Sequence, residues 1–155
     1  MQLKQSNYVL GHTDHEKCRL IRQARILAPA TEHFLRDAGI VPGMRVLDIG
    51  CGMGDVTILV AQLVGPQGKV MSIDMDQASI SIAQSRATAA GLVNTMFRQA
   101  DVSAFTDFEP FDAVVGRLVL EFLPDPAAII KRLCGLLRSG GIMAFQEPSW
   151  KIWLS

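Results

Sequence analysis

The feature that most constrains this chain is its alternation between two hydrophobic periods. Five apolar runs of strand length, "MRVLDI" (44–49), "KVMSID" (69–74), "TMFRQA" (95–100), "FDAVVG" (111–116) and "IMAFQE" (142–147), are separated by segments whose apolar residues recur at helical spacing. Parallel neighbours need crossover connections, so strands alternating with helices predict a mostly parallel sheet covered on both faces, a doubly wound α/β domain with five strands. In such a sheet ligands bind beyond the carboxyl ends of the strands, where the winding reverses.

The helical segments carry their own punctuation. Thr13 and Glu16 form a capping box that opens a helix, and Pro29 predicts a break or kink in it, with a second piece, 30–38, stopped at Gly39. Val56, Leu59, Val60 and Leu63 mark the next helix, Gly65 to Gly68 a turn, and Gly91 the end of a helix over 77–90. Asp125-Pro126 starts a helix with an apolar face of Ile129, Ile130, Leu133, Leu136 and Leu137, which Ser139-Gly140-Gly141 is expected to close.

Composition then excludes partner classes. A chain of 155 residues that is 49% hydrophobic makes one domain with a real core, and 15 basic against 15 acidic residues leave no positive field for nucleic acid or an acidic membrane. The polar start lacks a secretory apolar core and no run reaches membrane-spanning length, so the protein is expected to be cytoplasmic. Cys18, Cys51 and Cys134 have neither a CxxC nor a ligand spacing, which predicts reduced thiols and no metal.

The stretch "RVLDIGCGMGDVT" (45–57) carries the chemistry. Gly50, Gly52 and Gly54 fall between the first strand and its helix, where the backbone turns sharply and a ligand can lie against the main chain. The helix N-terminus beyond suits a carboxylate or phosphate, and a tight turn with no ligand is the plain alternative. Asp74 ends the second strand, 24 residues after Gly50, where a carboxylate accepts both ribose hydroxyls of an adenosine lacking a 2′-phosphate. Asp101 ends the third strand, placed to accept from an adenine amino group while the Val102 N–H meets a ring nitrogen. Each aspartate taken singly also fits a turn or cap. Asp48 brings negative charge close to the loop, which is awkward for a pyrophosphate and suited to an ammonium. An adenosine joined to an amino acid satisfies all three.

Here the sequence resembles the class I S-adenosylmethionine-dependent methyltransferases. "VLDIGCGMGDVT" matches their D-x-G-x-G-x-G motif, followed in the family's order by "SIDMD", "QADV", "FDAVVGRLVLEFLPDP" and "LLRSGGIMAFQEP", so that the resemblance covers 46–148. The segment "YVLGHTDHEKCRLIRQARIL" is similar to the lead-in of a small-molecule subgroup of the methyltransferase type 11 kind. The resemblance implies a Rossmann-like domain over 40–155 with S-adenosylmethionine as cofactor and a helical lid over 1–39, Tyr8 lying near the methionine end. It further implies that Gly50 and Gly52 contact the methionine part, with Cys51 between them in the cofactor-binding loop, Asp74 the ribose, Met75 the adenine face, and Asp101 with Val102 the adenine edge. Arg117 would offer its main-chain carbonyl to the amino group, beside Asp48.

Such a cofactor supplies its own leaving group, and a general base is needed only where the acceptor must lose a proton. Glu147 and His12 are the candidates, with Glu121 similar to the first and His15 to the second; for each of them a solvated, surface or capping role is the stronger reading, and His33 is a helix-surface residue. Cys51 has no histidine partner for a nucleophilic role. Trp150 and Trp153 fit an acceptor pocket or a core. No Pro-Pro-Tyr follows the fourth strand, where "GRLV" stands, which favours small molecules over the exocyclic amines of DNA or a protein glutamine. The family sheet continues through strands six and seven, so this chain is expected to be cut short after strand five, exposing an edge prone to homo-oligomerisation or swapping. Three readings follow: methyl transfer to the O, N or C of a small molecule; a cofactor-binding fragment or inactive paralogue that assembles with another chain; and an NAD-dependent oxidoreductase, against which Asp55 stands in place of the third fingerprint glycine.

Overall fold

The computed structural model describes residues 13–148; Tyr8, His12, Trp150 and Trp153 lie outside the described residues. Five strands, β1 (Arg45–Ile49), β2 (Lys69–Asp74), β3 (Thr95–Gln99), β4 (Phe111–Arg117) and β5 (Leu137–Gln146), form one sheet in the order β3-β2-β1-β4-β5. All four pairings are parallel. Helices α1 (Asp14–Asp37), α2 (Asp55–Val64), α3 (Gln77–Ala89) and α4 (Pro126–Cys134) accompany it. The chain runs outward from β1 to β3 and then returns to β4 on the other side of β1, so the winding reverses between β1 and β4 and a crevice opens at their carboxyl ends.

The core follows from the two-residue period of the strands. Val46, Val70, Ala113 and Val115 point to one face and pack with Leu35 of α1 and Val56 and Val60 of α2. Leu47, Ile49, Ile73 and Val114 point to the other and pack with Phe105, Phe111 and Leu133. Both faces of the central strands are apolar because both are covered, the pattern that parallel sheets impose. Among the described residues no helix is long and apolar enough to cross a membrane.

Two expectations are corrected. Helix α1 continues through Pro29 as a single element of 24 residues. Pro29 and Arg25, whose carbonyl the proline cannot serve, are both exposed, so the missing bond falls on the outer face of the helix and not against the core. Helix α4 ends at Cys134, not at the glycine pair: Leu137 pairs with Phe111 as the first residue of β5, and Leu136 lies in the turn before it, its carbonyl accepting from Phe111 N–H at 2.8 Å. Gly140, at φ +74°, sits inside β5 at the register shift between Phe111 and Ala113, where an irregular strand needs a left-handed residue.

Candidate active site

The site begins with an interruption of the strand pattern. On the face of β1 that carries Val46 the next inward position is Asp48, and its register partner on β2 is Ser72. Asp48 is 1% exposed, and α2 lays Thr57 over it: Thr57 Oγ1 donates to Asp48 Oδ2 at 2.7 Å and lies 2.9 Å from Ser72 Oγ. Burial pushes the Asp48 carboxyl up to about 7, against the pull of the Thr57 hydrogen bond and the Arg117 charge, with Asp74 and Asp55 pushing it further up.

Above Asp48 the loop 50–54 is fastened to the neighbouring strand. Cys51 N–H donates to Ile73 O at 3.0 Å, and Gly52 N–H donates to Asp74 Oδ2 at 2.9 Å. The other Asp74 oxygen accepts from Asp76 N–H at 2.9 Å. Asp74 is thus held between the loop and the cap of α3, with lone pairs left for a ligand. The glycines have different tasks. A Cβ at Gly52 would meet nothing within 4 Å, which leaves the cleft side of the loop open, whereas a Cβ at Gly50 would stand 2.5 Å from Val119 Cγ2 and one at Gly54 3.0 Å from Ala83 Cβ.

Gly50 also lies at φ +60°. Gly50→Ala therefore combines backbone strain with a collision against a stiff β-branched side chain, and is expected to cost about 1–3 kcal/mol of unfolding free energy. A denaturant melt checks this; an unchanged midpoint would mean that the loop does not pack on Val119.

Two adjoining cavities occupy the crevice and share Gly50, Asp76, Leu118 and Phe122. One, of about 320 Å³, is lined by Asp74, Met75, Ala100, Val102 and Val119. The other, of about 380 Å³, lies under α1 and is lined by Asp48, Gly52, Asp55, Arg117 and Gln23. Its floor is acidic with Arg117 set among the carboxylates: Arg117 Nη2 is 3.9 Å from Asp55 Oδ2, while Asp55 Oδ1 pairs with Arg86 at 2.8 Å. Asp55 in the first turn already meets the positive end of α2, so a second anion gains little there.

Arg117 also joins the helix above to the sheet. Its Nη1 donates to Thr31 Oγ1 at 3.1 Å, and the Thr31 hydroxyl donates to Gln146 Oε1 at 2.7 Å. A buried hydroxyl of α1 is thereby shared between the ends of β4 and β5. Burial lowers the Arg117 pKa, partly offset by the Asp55 and Asp48 charges.

The structure brings Asp48, Gly50, Cys51, Gly52, Asp74, Met75, Val102 and Arg117 around this crevice. Met75 is 64% exposed at its rim. Asp101 is exposed, and its Oδ1 is engaged by the N–H and hydroxyl of Ser103, both at 2.8 Å. Burial raises the Cys51 thiol above its usual range and keeps it protonated, which removes it as a nucleophile. His15 and His33 are exposed. Glu121 lines the larger cavity, whereas Glu147 Oε1 accepts from the main-chain N–H groups of Val119 and Leu120. Sequence reasoning missed Thr31, Thr57, Ser72 and Gln146. Ser72 had a signal, a polar residue at an inward position of β2; the other three depend on contacts between elements.

A parallel sheet in this order, with a glycine loop after β1 and an aspartate closing β2, defines a Rossmann-like domain. The chain belongs to the methyltransferase-domain family, whose model matches residues 40–154. It is 38% identical over 113 residues to aklanonic acid methyltransferase DauC of Streptomyces sp. strain C5, covering 72% of this chain and 51% of that one. It is 34% identical over 120 residues to a trans-aconitate 2-methyltransferase of Methylobacterium radiotolerans, covering 77% and 44%. Among solved structures it is similar to an arsenic(III) S-adenosylmethionine methyltransferase of Chlamydomonas reinhardtii, with a TM-score of 0.62 and 31% identity over 68% of this chain and 38% of that one. The chain spans about half the length of the curated relatives it matches.

Proposed function

We propose that this chain binds S-adenosylmethionine across the β1/β4 crevice and serves methyl transfer to a small-molecule acceptor. The observation that carries the reading is the pair of carboxylates flanking the glycine loop: Asp48, buried beneath it, and Asp74, bonded to its main chain. The cofactor brings a cationic sulfonium and ammonium together with two ribose hydroxyls, and the donor and acceptor set fits those groups. Asp74 accepts the ribose hydroxyls, Met75 covers the adenine face, and Val102 with Asp101 meets its edge. Gly50 and Gly52 let the methionine part lie on the backbone, and the Arg117 carbonyl receives its ammonium above Asp48. A dinucleotide pyrophosphate would instead face Asp48 and Asp55 with α2 already neutralised, which argues against the oxidoreductase.

When bound, S-adenosylmethionine supplies an activated methyl group, so the residues of this chain have to bind, orient and exclude water. Helix α1 acts as the lid, tied down through Thr31. The acceptors for which the relatives are named, aklanonic acid and trans-aconitate, support a small-molecule acceptor. The free thiols of Cys18, Cys51 and Cys134 support a reducing, cytoplasmic setting.

Calorimetric titration with S-adenosylmethionine, S-adenosylhomocysteine and NAD tests the reading. Saturable binding of the first two and none of NAD is expected. No binding of either sulfur compound by the folded chain would reject it, and binding without turnover across acceptor screens would favour the binding-only alternative.

A further inference from the structure

The segment joining the two cavities is held in an unfavourable conformation. Leu118, which lines both, is the one non-glycine residue with positive φ among the described residues, at +53°. A left-handed conformation is costly for a leucine, and it persists only where its surroundings enforce it. Three contacts do so. Leu118 N–H donates to Gln146 O at 3.0 Å, the last rung of the β4–β5 ladder. Val119 seats its two methyl groups over Gly50 and Gly116, where any Cβ would come within 2.5 Å and 2.8 Å of them. Glu147, one residue past β5, then uses a single oxygen, Oε1, to accept from Val119 N–H at 3.1 Å and Leu120 N–H at 3.0 Å. These N–H groups open a 3-10 turn, Leu120–Phe122, which has no cap from its own leading side chain.

The second oxygen of Glu147 sharpens the case. Oε2 is buried and has no hydrogen-bond partner among the described residues. A dry carboxylate oxygen opposes folding, so the side chain is a poor choice for stability alone, and its bonded oxygen must supply the compensation.

We infer that Glu147 is a positioning residue of the cofactor cleft: its Oε1 clamps the 118–120 turn, holds Leu118 left-handed, and so sets the waist at which the adenosine and methionine cavities meet. The effect on binding rests on the S-adenosylmethionine reading; the clamp itself does not. It acts through the turn and not by proton transfer.

Four proteins test this: the unaltered chain, Glu147→Ala, Glu147→Gln, and Glu147→Ala combined with Leu118→Gly. Amide hydrogen exchange at Val119 and Leu120 is followed without ligand, and S-adenosylhomocysteine affinity is measured by calorimetry. Glu147→Ala is expected to speed both amides and weaken binding tenfold or more. Glu147→Gln, which keeps a carbonyl oxygen for both donors, should stay within about threefold in affinity while melting at a lower temperature, because its bonds to the turn lose the carboxylate charge and two N–H donors are buried where one oxygen stood. Adding Leu118→Gly should recover part of the affinity lost in Glu147→Ala, since glycine adopts the left-handed conformation unaided.

Unchanged exchange and affinity in Glu147→Ala would overturn the inference. So would Glu147→Gln as damaging as alanine, or a further loss on adding Leu118→Gly. Should alanine fail to fold, Glu147→Gln and its exchange rates still decide. If the unaltered chain binds no S-adenosylhomocysteine, the proposed function fails, and the exchange rates alone judge the clamp.

Discussion

Asp74→Ala is expected to weaken S-adenosylmethionine and S-adenosylhomocysteine binding by a hundredfold or more, about 3 kcal/mol. Hydrogen bonds from ribose hydroxyls to a carboxylate are each worth about 1.5–3 kcal/mol, and the proposed binding mode gives Asp74 two of them. The variant also loses a structural task, since Gly52 N–H and Asp76 N–H both donate to Asp74 and the loop and the α3 cap are positioned through this one side chain. Asparagine should not rescue, because its NH₂ would be turned toward one of those N–H groups. Calorimetry alongside a thermal melt separates lost contacts from a lost fold. A folded variant that binds within fivefold of the unaltered chain would remove Asp74 from the cofactor site.

Asp48 makes the ligand-free domain less stable as pH rises. Its folded pKa, about 7, lies above the ordinary carboxylate value of about 4, so between these pH values the folded chain keeps a proton that the unfolded chain has released. The protonated group costs nothing extra below that window. Stability then falls through it and levels off above pH 7, where the carboxylate is ionised in both states. Asp48→Asn, which still offers Thr57 an acceptor oxygen, should abolish this slope and stabilise the ligand-free chain at pH 8 by about 2–4 kcal/mol. Denaturant melts at pH 4, 6 and 8 measure it, and parallel pH profiles for the two proteins would refute the assignment.

The same carboxylate should act oppositely on ligand binding. A cationic cofactor favours ionised Asp48, so affinity should rise with pH through about 7 and binding near pH 6 should release a proton, both effects disappearing in Asp48→Asn. Stability given up by the ligand-free chain is recovered when a cationic ligand binds, and the asparagine variant separates the two.

The legible part of this protein was local. Strand runs, the glycine loop and the placement of Asp74 at a strand end are written in periods of two, in helical spacing and in turn chemistry, each decided within a few residues by backbone sterics. Local signals misled where packing outranked them. Pro29 reads as a helix breaker until both it and Arg25 prove to face solvent, and Ser139-Gly140-Gly141 reads as a helix stop until Leu137 is drawn into register with Phe111.

The site divides in the same way. By itself the sequence determined that a parallel doubly wound sheet would carry a glycine loop with aspartates at the ends of its strands, because those features arise from short-range geometry. Only the tertiary structure decided that Asp48 is desolvated under Thr57, that Thr31 meets Arg117 and Gln146 across 86 and 115 residues of chain, and that Glu147 bonds the main chain of the β4 turn instead of lying free. Dielectric surroundings and hydrogen-bond partners belong to elements brought together by packing, and no window of sequence contains both members of such a contact.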